Sequence, residues 1–276
     1  MKSDKSKNII IALLIIIIVI LVGIVGLVLT GTLSLNTSNN NQVGEEDNND
    51  QEEKKEEKDL FEISYKEEEY ITKNNKGYII SKSTRNLPVI INSNNQETAD
   101  KIVTSLTTIS DKEWNGSIKD TADQVSEMDS DKDMELGVNY LFETKVVNDN
   151  RLTFKLEMSG TFGGTTWAGE WGYNYDAKTG ELLTLENIST DNIKLKEIIT
   201  NEVVNYIEAN SITIVVDDWK NEVSKLINTT GNWYFTDNGI EVSLPKYSIS
   251  TGATGIIKVE IAKNVINDYL KEEYKI

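Results

Sequence analysis

The chain lacks cysteine and histidine altogether and has only two prolines among its 276 residues. Without cysteine it can form no disulfide, so any exported part must be held together by packing alone. Without histidine or a thiol, neither the Ser-His-Asp arrangement of many hydrolases nor a His-ligated zinc site can be built. Paired carboxylates or a Ser-Lys pair are compatible with the composition, but neither has a local signature here. We therefore expect a protein that is not an enzyme and that holds no metal or cofactor.

Positive charge is scarce as well: 28 Lys and Arg stand against 45 Asp and Glu, which gives a net charge of −17. Such a surface repels the phosphates of nucleic acid, so we expect no nucleic-acid partner. It would instead steer cationic proteins or peptides towards the molecule. Solubility alone is the simpler explanation of the same charge.

The longest stretch without a charge is Ile9–Leu29. As a helix it would extend about 31 Å, close to the thickness of the hydrocarbon core of a bilayer. Three lysines precede it and no Lys or Arg follows until Lys54, so we expect the N-terminus in the cytoplasm. This predicts a single-pass protein of the cell membrane whose C-terminal domain is extracellular. A cleaved signal peptide is the alternative, although its apolar core would be only about 7–15 residues long.

Composition divides the chain into segments: residues 1–8 form a cytoplasmic tip, 9–30 the transmembrane helix and 31–59 an acidic stalk without aromatic residues. The stalk cannot bury enough apolar surface to offset its chain entropy, so we expect it to be disordered. The folded part begins near Leu60. We divide it into an N-terminal half, 60–180, and a C-terminal half, 181–276.

Periodicity predicts the elements of the N-terminal half. Alternation and turn signals indicate strands at Leu60–Thr72 and Tyr78–Ile91, the second of them broken at Pro88. Apolar residues at helical spacing predict a helix through Ala99–Leu106 and a further helix around Ile118–Val125. From Met134 the period changes to two, which predicts three antiparallel strands: Met134–Val147, Arg151–Phe162 and Trp167–Asp176.

The C-terminal half mixes helices with short strands. Two apolar stripes predict helices through Leu195–Tyr206 and Trp219–Ile227. Asp237-Asn238-Gly239 is typical of a hairpin with a type I′ turn. The remaining predicted elements are strands at Trp233–Phe235, Ile240–Leu244 and Ile256–Ile261 and a closing helix at Val265–Tyr274. Blocks of strands interleaved with helices indicate an α+β fold with antiparallel or mixed sheets packed against helices.

Two motifs add to this picture. The first is Tyr173-Asn174-Tyr175-Asp176 with Thr179-Gly180-Glu181 and Leu183-Thr184-Leu185; the second is Tyr247-Ser248-Ile249 with Ala253, Gly255 and Val259-Glu260-Ile261. Together with the helices between them, they resemble the extracytoplasmic part of RsiV-like membrane-bound anti-sigma factors, over roughly residues 60–275. The same module occurs beside some cell-wall polysaccharide deacetylases of the PdaC type. The chain departs from the family pattern at Gly163–Trp167, and it lacks the usual prolines near Thr251 and at Ala262.

The resemblance implies a non-catalytic, sensor-like module that binds an extracellular ligand, with a cationic protein such as lysozyme as the expected partner. An accessory module that binds peptidoglycan glycans or assists a cell-wall enzyme is the alternative that it implies. RsiV-like proteins also wrap a sigma factor with a cytoplasmic segment. Residues 1–8 are too short for that, which counts against a sigma factor as partner.

Four aromatic residues are candidates for ligand binding: Trp167, Trp171, Tyr173 and Tyr247. The first three, with Tyr175, occupy odd positions of one predicted strand and therefore project to one face. They could form an exposed platform for a glycan or a protein. Burial under a helix is the alternative, because aromatic side chains contribute large core area.

Two acidic stretches suggest sites that their residues do not support. Asp129, Asp131, Asp133 and Glu135 resemble the start of an EF-hand loop. Met134 stands where that loop needs glycine, and Tyr140 stands where it needs glutamate, so we expect no calcium site. Asp217-Asp218 is most simply the start of the helix that carries Trp219, where a carboxylate caps free N–H groups.

Overall fold

A long antiparallel hairpin of β1 (Phe61–Lys73) and β2 (Ile79–Asn92) begins the fold. The computed structural model describes residues 60–92, 94–125, 127–134, 136–162 and 165–276, with the backbone alone at 162 and 165–167. Ile9–Leu29 and the acidic stalk lie outside these residues. Within them, no helix has both the length and the apolar character that crossing a membrane requires.

The hairpin belongs to a five-stranded sheet whose strands follow chain order, β1-β2-β3-β4-β5. Its other members are β3 (Gly137–Val147), β4 (Arg151–Phe162) and β5 (Thr165–Asp176). All neighbours are antiparallel except β2 and β3, which run parallel and pair at Thr84↔Asn139 and Arg85↔Tyr140. The mixed sheet confirms the α+β prediction.

Pro88 does not break β2, so that prediction was wrong. The strand continues to Asn92 and stays paired with β1 through Tyr65↔Pro88. Its ladder with β3 ends at Arg85, so the missing N–H of proline interrupts no pairing there. Buried positions are odd-numbered from Ser81 to Leu87 and even-numbered from Pro88 to Asn92, so the strand turns a new face to the core at the proline.

One helix of 30 residues, α1 (Gln96–Val125), covers the first sheet where two helices were predicted. Its buried face contains Ser110 and Trp114 between the two apolar stripes and Thr121 within the second, and these interrupted the sequence pattern. The Trp114 ring lies edge-on to Tyr140 at 5.5 Å and beneath the Arg85 guanidinium at 5.2 Å. These contacts keep the polar middle of the helix on the sheet.

The C-terminal half has its own core. A three-stranded antiparallel sheet of β6 (Trp233–Phe235), β7 (Gly239–Leu244) and β8 (Ile257–Ala262) packs against helices. The helices are α2 (Leu185–Ile188), α3 (Asn192–Ala209), α4 (Trp219–Ile227) and α5 (Lys263–Ile266). Leu195, Ile199 and Val203 of α3 lie fully buried against this sheet's apolar face.

Two local predictions in this half were wrong. The closing helix is a single turn, α5, followed by 3₁₀ turns, because Leu270 bridges to Ser189 and the Lys271 N–H donates to Ile188 O. The β6–β7 turn is not type I′, since neither Asn238 nor Gly239 has a positive φ. Glycine is needed at 239 because the backbone of β8 passes close by: a Cβ there would lie 1.9 Å from Ile261 O.

The two halves meet through the side chain of Asn174 on β5. Its amide donates to Trp233 O (3.2 Å) and accepts from the Phe235 N–H (2.9 Å) and from the Thr153 hydroxyl (3.1 Å). A side chain thereby pairs with the edge of β6 as a neighbouring strand would. Gly172 lets the strand approach, because a Cβ there would lie 2.3 Å from Tyr234 Cβ.

We predict that Asn174→Ala destabilises the fold by about 2–4 kcal/mol, since it leaves the buried Phe235 N–H and Trp233 C=O without partners. Urea unfolding of the full chain measures this. Asn205→Ala, an exposed asparagine on α3, is the matched control and should change stability by less than about 0.5 kcal/mol. Equal effects of the two substitutions would contradict the role given to Asn174.

Candidate functional site

The aromatic row of β5 is largely buried. Tyr173 is 8% exposed and Tyr175 is fully buried beneath α1, where its hydroxyl donates to Ser105 Oγ at 2.9 Å. Burial raises the pKa of Tyr175 to about 12. Trp171 is half-buried, and its ring packs where Cβ atoms of Gly169 and Gly231 would stand. The side chain of Trp167 lies outside the described residues. Of the two interpretations of this row, an exposed platform or burial under a helix, Tyr173 and Tyr175 follow the second.

Tyr247 has a different environment, because its side chain is 60% exposed. Ser248 N–H donates to Pro245 O at 3.1 Å and closes a turn in which Tyr247 has φ of +71°. This is the type II position that usually belongs to glycine, because a positive φ strains other residues. The ring occupies the space that a Cβ on Gly252 would need. A strained backbone thus holds an exposed aromatic ring in a defined place.

A second segment runs beside this turn. Ile214 bridges to Ser250, and the Val215 N–H donates to Ile249 O at 3.0 Å. Val215 is 59% exposed, and the acidic pair Asp217-Asp218 follows it. We call residues 212–218 and 245–252 the paired-loop surface. It combines exposed apolar groups with the carboxylates of Asp217 and Asp218 and with the Lys246 ammonium, which lies 5.1 Å from the centre of the Tyr247 ring.

Asp218 does not cap α4 as predicted. It occupies the N-cap position, but its side chain makes no hydrogen bond to the helix backbone. Its carboxylate instead accepts from the Asn221 side-chain amide at 3.1 Å. The charge therefore stays at the surface beside the paired loops.

We predict that Tyr247→Gly is more stable than Tyr247→Ala by about 1 kcal/mol, because both remove the ring and only glycine adopts the positive φ freely. At ordinary positions the order is the reverse. Lys246, the preceding residue of the same turn, has no positive φ and is the matched control: Lys246→Ala should be at least as stable as Lys246→Gly. Thermal unfolding of the four variants tests both orders, and a Tyr247→Ala variant as stable as Tyr247→Gly would refute the strain.

The acidic loop at 129–133 is held by one lysine and one backbone N–H of the β1–β2 hairpin. The Lys76 ammonium contacts Asp129 at 2.5 Å and Asp131 at 2.8 Å, while the Asp133 carboxylate accepts from the Ile79 N–H. Among the described residues, no group of three or more acidic side chains is arranged to hold a metal ion. These carboxylates hold the loop against the β1–β2 hairpin.

Sequence reasoning missed a buried ionic cluster between the two sheets. Glu170 of β5 is fully buried, and its carboxylate contacts the Lys258 ammonium directly and that of Lys155 at 3.7 Å. The Tyr234 hydroxyl lies 3.0 Å from Glu170 Oε1 and 2.5 Å from Glu241 Oε1. The only sequence signal was alternation of polar and apolar residues on β7 and β8, which reads equally well as a solvated face.

The Tyr234 hydroxyl has one proton and lies between two carboxylates. Burial and the two carboxylates raise the pKa of Tyr234 far above its ordinary value, so its hydroxyl keeps one proton. That proton can serve only one of Glu170 and Glu241 at a time. Glu170 is closed to solvent, so the pair is not an accessible catalytic dyad, and its contacts tie the sheets together.

We predict that Glu241→Gln raises the free energy of unfolding at pH 7 by about 1 kcal/mol, because the new amide donates to the Tyr234 oxygen while the hydroxyl serves Glu170. Glu170→Gln should lower it by at least about 2 kcal/mol, because Lys258 loses its counter-charge and Lys155 keeps only Glu143 and Glu157. Denaturant titration measures both. The gain in stability from Glu241→Gln should vanish in a Tyr234→Phe background. A gain that persists there would show that loss of the Glu241 charge, and not the new hydrogen bond, stabilises the variant.

Comparison with known proteins concerns mainly the C-terminal half. Residues 186–274 match the family model described as "Protein of unknown function (DUF3298)". That stretch begins in α2 and includes the paired-loop surface. No curated protein matches the chain. Membership of the RsiV-like family is more specific than this match shows. The match to DUF3298 is consistent with it.

Two solved structures share the fold. A DUF3298 family member from Bacteroides fragilis superposes with a TM-score of 0.53 at 15% identity, covering 78% of this chain and 96% of that one. A DUF3298 family protein from Pseudomonas aeruginosa PAO1 superposes with a TM-score of 0.50 at 11% identity and the same coverages. At these identities the likeness concerns the fold alone.

Proposed function

We propose that the chain is a membrane-anchored, non-catalytic module that captures a cationic protein outside the cell through the paired-loop surface. The observation that carries this proposal is Tyr247: an exposed ring on a strained backbone, seated on Gly252. Tyrosine is a frequent anchor in interfaces because it buries a large area at a low entropic cost. Folding alone would favour glycine at this position, so the ring has a use of its own.

Charge supports a cationic partner. Residues 60–276 contain 22 Lys and Arg and 35 Asp and Glu, a net charge of −13. Several of these carboxylates contact lysines, as at Lys76 and in the Glu170 cluster, whereas Asp217 is exposed beside Val215. Long-range attraction would speed the encounter, and the ring would then fix the docked position. Lysozyme, the partner implied by the RsiV-like resemblance, has this chemistry.

Binding of lysozyme to the full-length chain in a non-glycosidic detergent tests the proposal. We expect saturable binding that weakens as NaCl rises from about 50 to about 300 mM, and a loss of at least about tenfold in affinity on Tyr247→Gly. Tyr70→Ala, at an exposed tyrosine of β1, is the matched control and should bind as the unchanged chain does.

Cytochrome c serves as a basic protein of unrelated shape. Equal binding of lysozyme and cytochrome c, or equal binding by the Tyr247→Gly variant, would reduce the interaction to net charge and reject the assigned surface. Isothermal titration calorimetry gives the affinities directly. Thermal unfolding of each variant checks that the fold is intact.

A further inference from the structure

The outer edge of β8 is open. Among the described residues, no strand lies beside this edge, because β8 ends the sheet in the order β6-β7-β8. At the opposite end of the same sheet, β6 borders β5 through the Asn174 side chain. The N–H and C=O groups along an open edge can pair with a further strand.

The backbone groups of Lys258 and Glu260 point to this open edge. On the β7 side, the Lys263 N–H donates to Asn238 O at 2.8 Å. Because bonding alternates along an antiparallel strand, Val259 also bonds to β7, and the residues on either side of it face away. The backbone N–H and C=O groups of Lys258 and Glu260 have no hydrogen-bond partner in the part of the chain that the structure describes. They are therefore available to another strand.

The side chains at this edge have opposite charges. Lys258 and Glu260 are both exposed on the polar face of the sheet, while Val259 between them is buried in the core. The Lys258 ammonium contacts the buried Glu170 carboxylate, but it has three N–H donors and can serve a second acceptor. The Glu260 carboxylate accepts a long hydrogen bond of 3.4 Å from the Thr236 hydroxyl. Each charge can therefore take a partner of opposite sign.

A second copy of β8 fits these charges in one antiparallel register. Residues that face outward must oppose each other across the new ladder, so a two-fold axis can pass through Lys258, Val259 or Glu260. An axis at Lys258 opposes two lysines and an axis at Glu260 opposes two glutamates, and both arrangements are unfavourable. An axis at Val259 places Lys258 of each copy opposite Glu260 of the other. Each of these symmetric pairs also exchanges two main-chain hydrogen bonds.

The edge of β1 does not fit a copy of itself in this way. β1 is the end strand of the five-stranded sheet, and its middle is the acidic run Glu67-Glu68-Glu69. Antiparallel pairing of two copies about this run would bring carboxylates against carboxylates. Self-complementary charge therefore distinguishes β8 from β1.

We propose that two copies of the chain pair through β8 in the register centred on Val259. The two three-stranded sheets then form one continuous sheet, with Lys258 and Glu260 paired across the junction on its polar face. Such a contact uses the same surface on both copies, so it closes at a dimer and does not extend into a fibre. The dimer does not depend on the function proposed for the paired-loop surface.

Sedimentation equilibrium of the full-length chain in a density-matched detergent tests the dimer. At about 150 mM salt, repulsion between two acidic copies is screened beyond about 8 Å. We expect a monomer–dimer equilibrium that weakens by at least about tenfold on Glu260→Lys, since lysine then opposes Lys258 in both pairs. Glu62→Lys, at an exposed position of β1, makes the same change in net charge and is the matched control: its dimer should persist.

Glu260→Pro tests the main-chain bonds of the junction. It removes an N–H that points away from β7, so the β7–β8 ladder should remain and the dimer should be lost. The thermal unfolding midpoint of each variant shows whether the fold is intact.

The proposal fails on any of the following results. A monomer at about 100 μM chain would exclude a dimer of useful strength. An equally strong dimer in folded Glu260→Pro would place the contact elsewhere, for example between the predicted membrane anchors. Equal weakening by Glu62→Lys and Glu260→Lys would reduce the effect to net charge.

Discussion

A small set of buried polar side chains, above all Asn174 and Glu170, joins the two sheets of this fold. Each sheet packs its main apolar face against its own helices, and the groups that meet between the sheets include buried polar side chains beside apolar ones such as Val146. Buried donors and acceptors there need partners. Asn174 satisfies the edge of β6, while Glu170 satisfies two lysines and a tyrosine hydroxyl. Directional bonds of this kind fix one relative position of the sheets, which apolar packing alone specifies less sharply.

That position determines where the paired-loop surface lies. Asn174 fixes β6 at Trp233 and Phe235, β6 fixes β7 through Trp233↔Val242, and β7 ends just before the turn that carries Tyr247. A shift at the joint would therefore move the ring and its neighbouring loop together. The N-terminal half supplies the support, and the stretch that matches DUF3298 supplies the exposed groups.

Sequence reasoning worked where the pattern is local. The bounds of β4, α4 and β6 agree with the prediction because alternation or helical spacing alone determines them. It failed where partners distant in sequence decide the outcome. The polar middle of α1 is helical because Trp114 finds Tyr140 and Arg85, and the residues after Ile266 leave the helix because Leu270 pairs with Ser189. Gly239 was read as a turn residue, but the crowding it relieves comes from Ile261 on another strand.

For the candidate site, too, sequence reasoning predicted what is local and missed what depends on distant parts of the chain. Alternation placed Trp171, Tyr173 and Tyr175 on one face, and only the course of α1 decides that the face is covered. Tyr247 entered through a motif, yet its significance rests on a φ angle that no sequence pattern displays. Strain of this kind persists when the surrounding fold holds it, here by the Pro245–Ser248 turn and the bridge between Ile214 and Ser250.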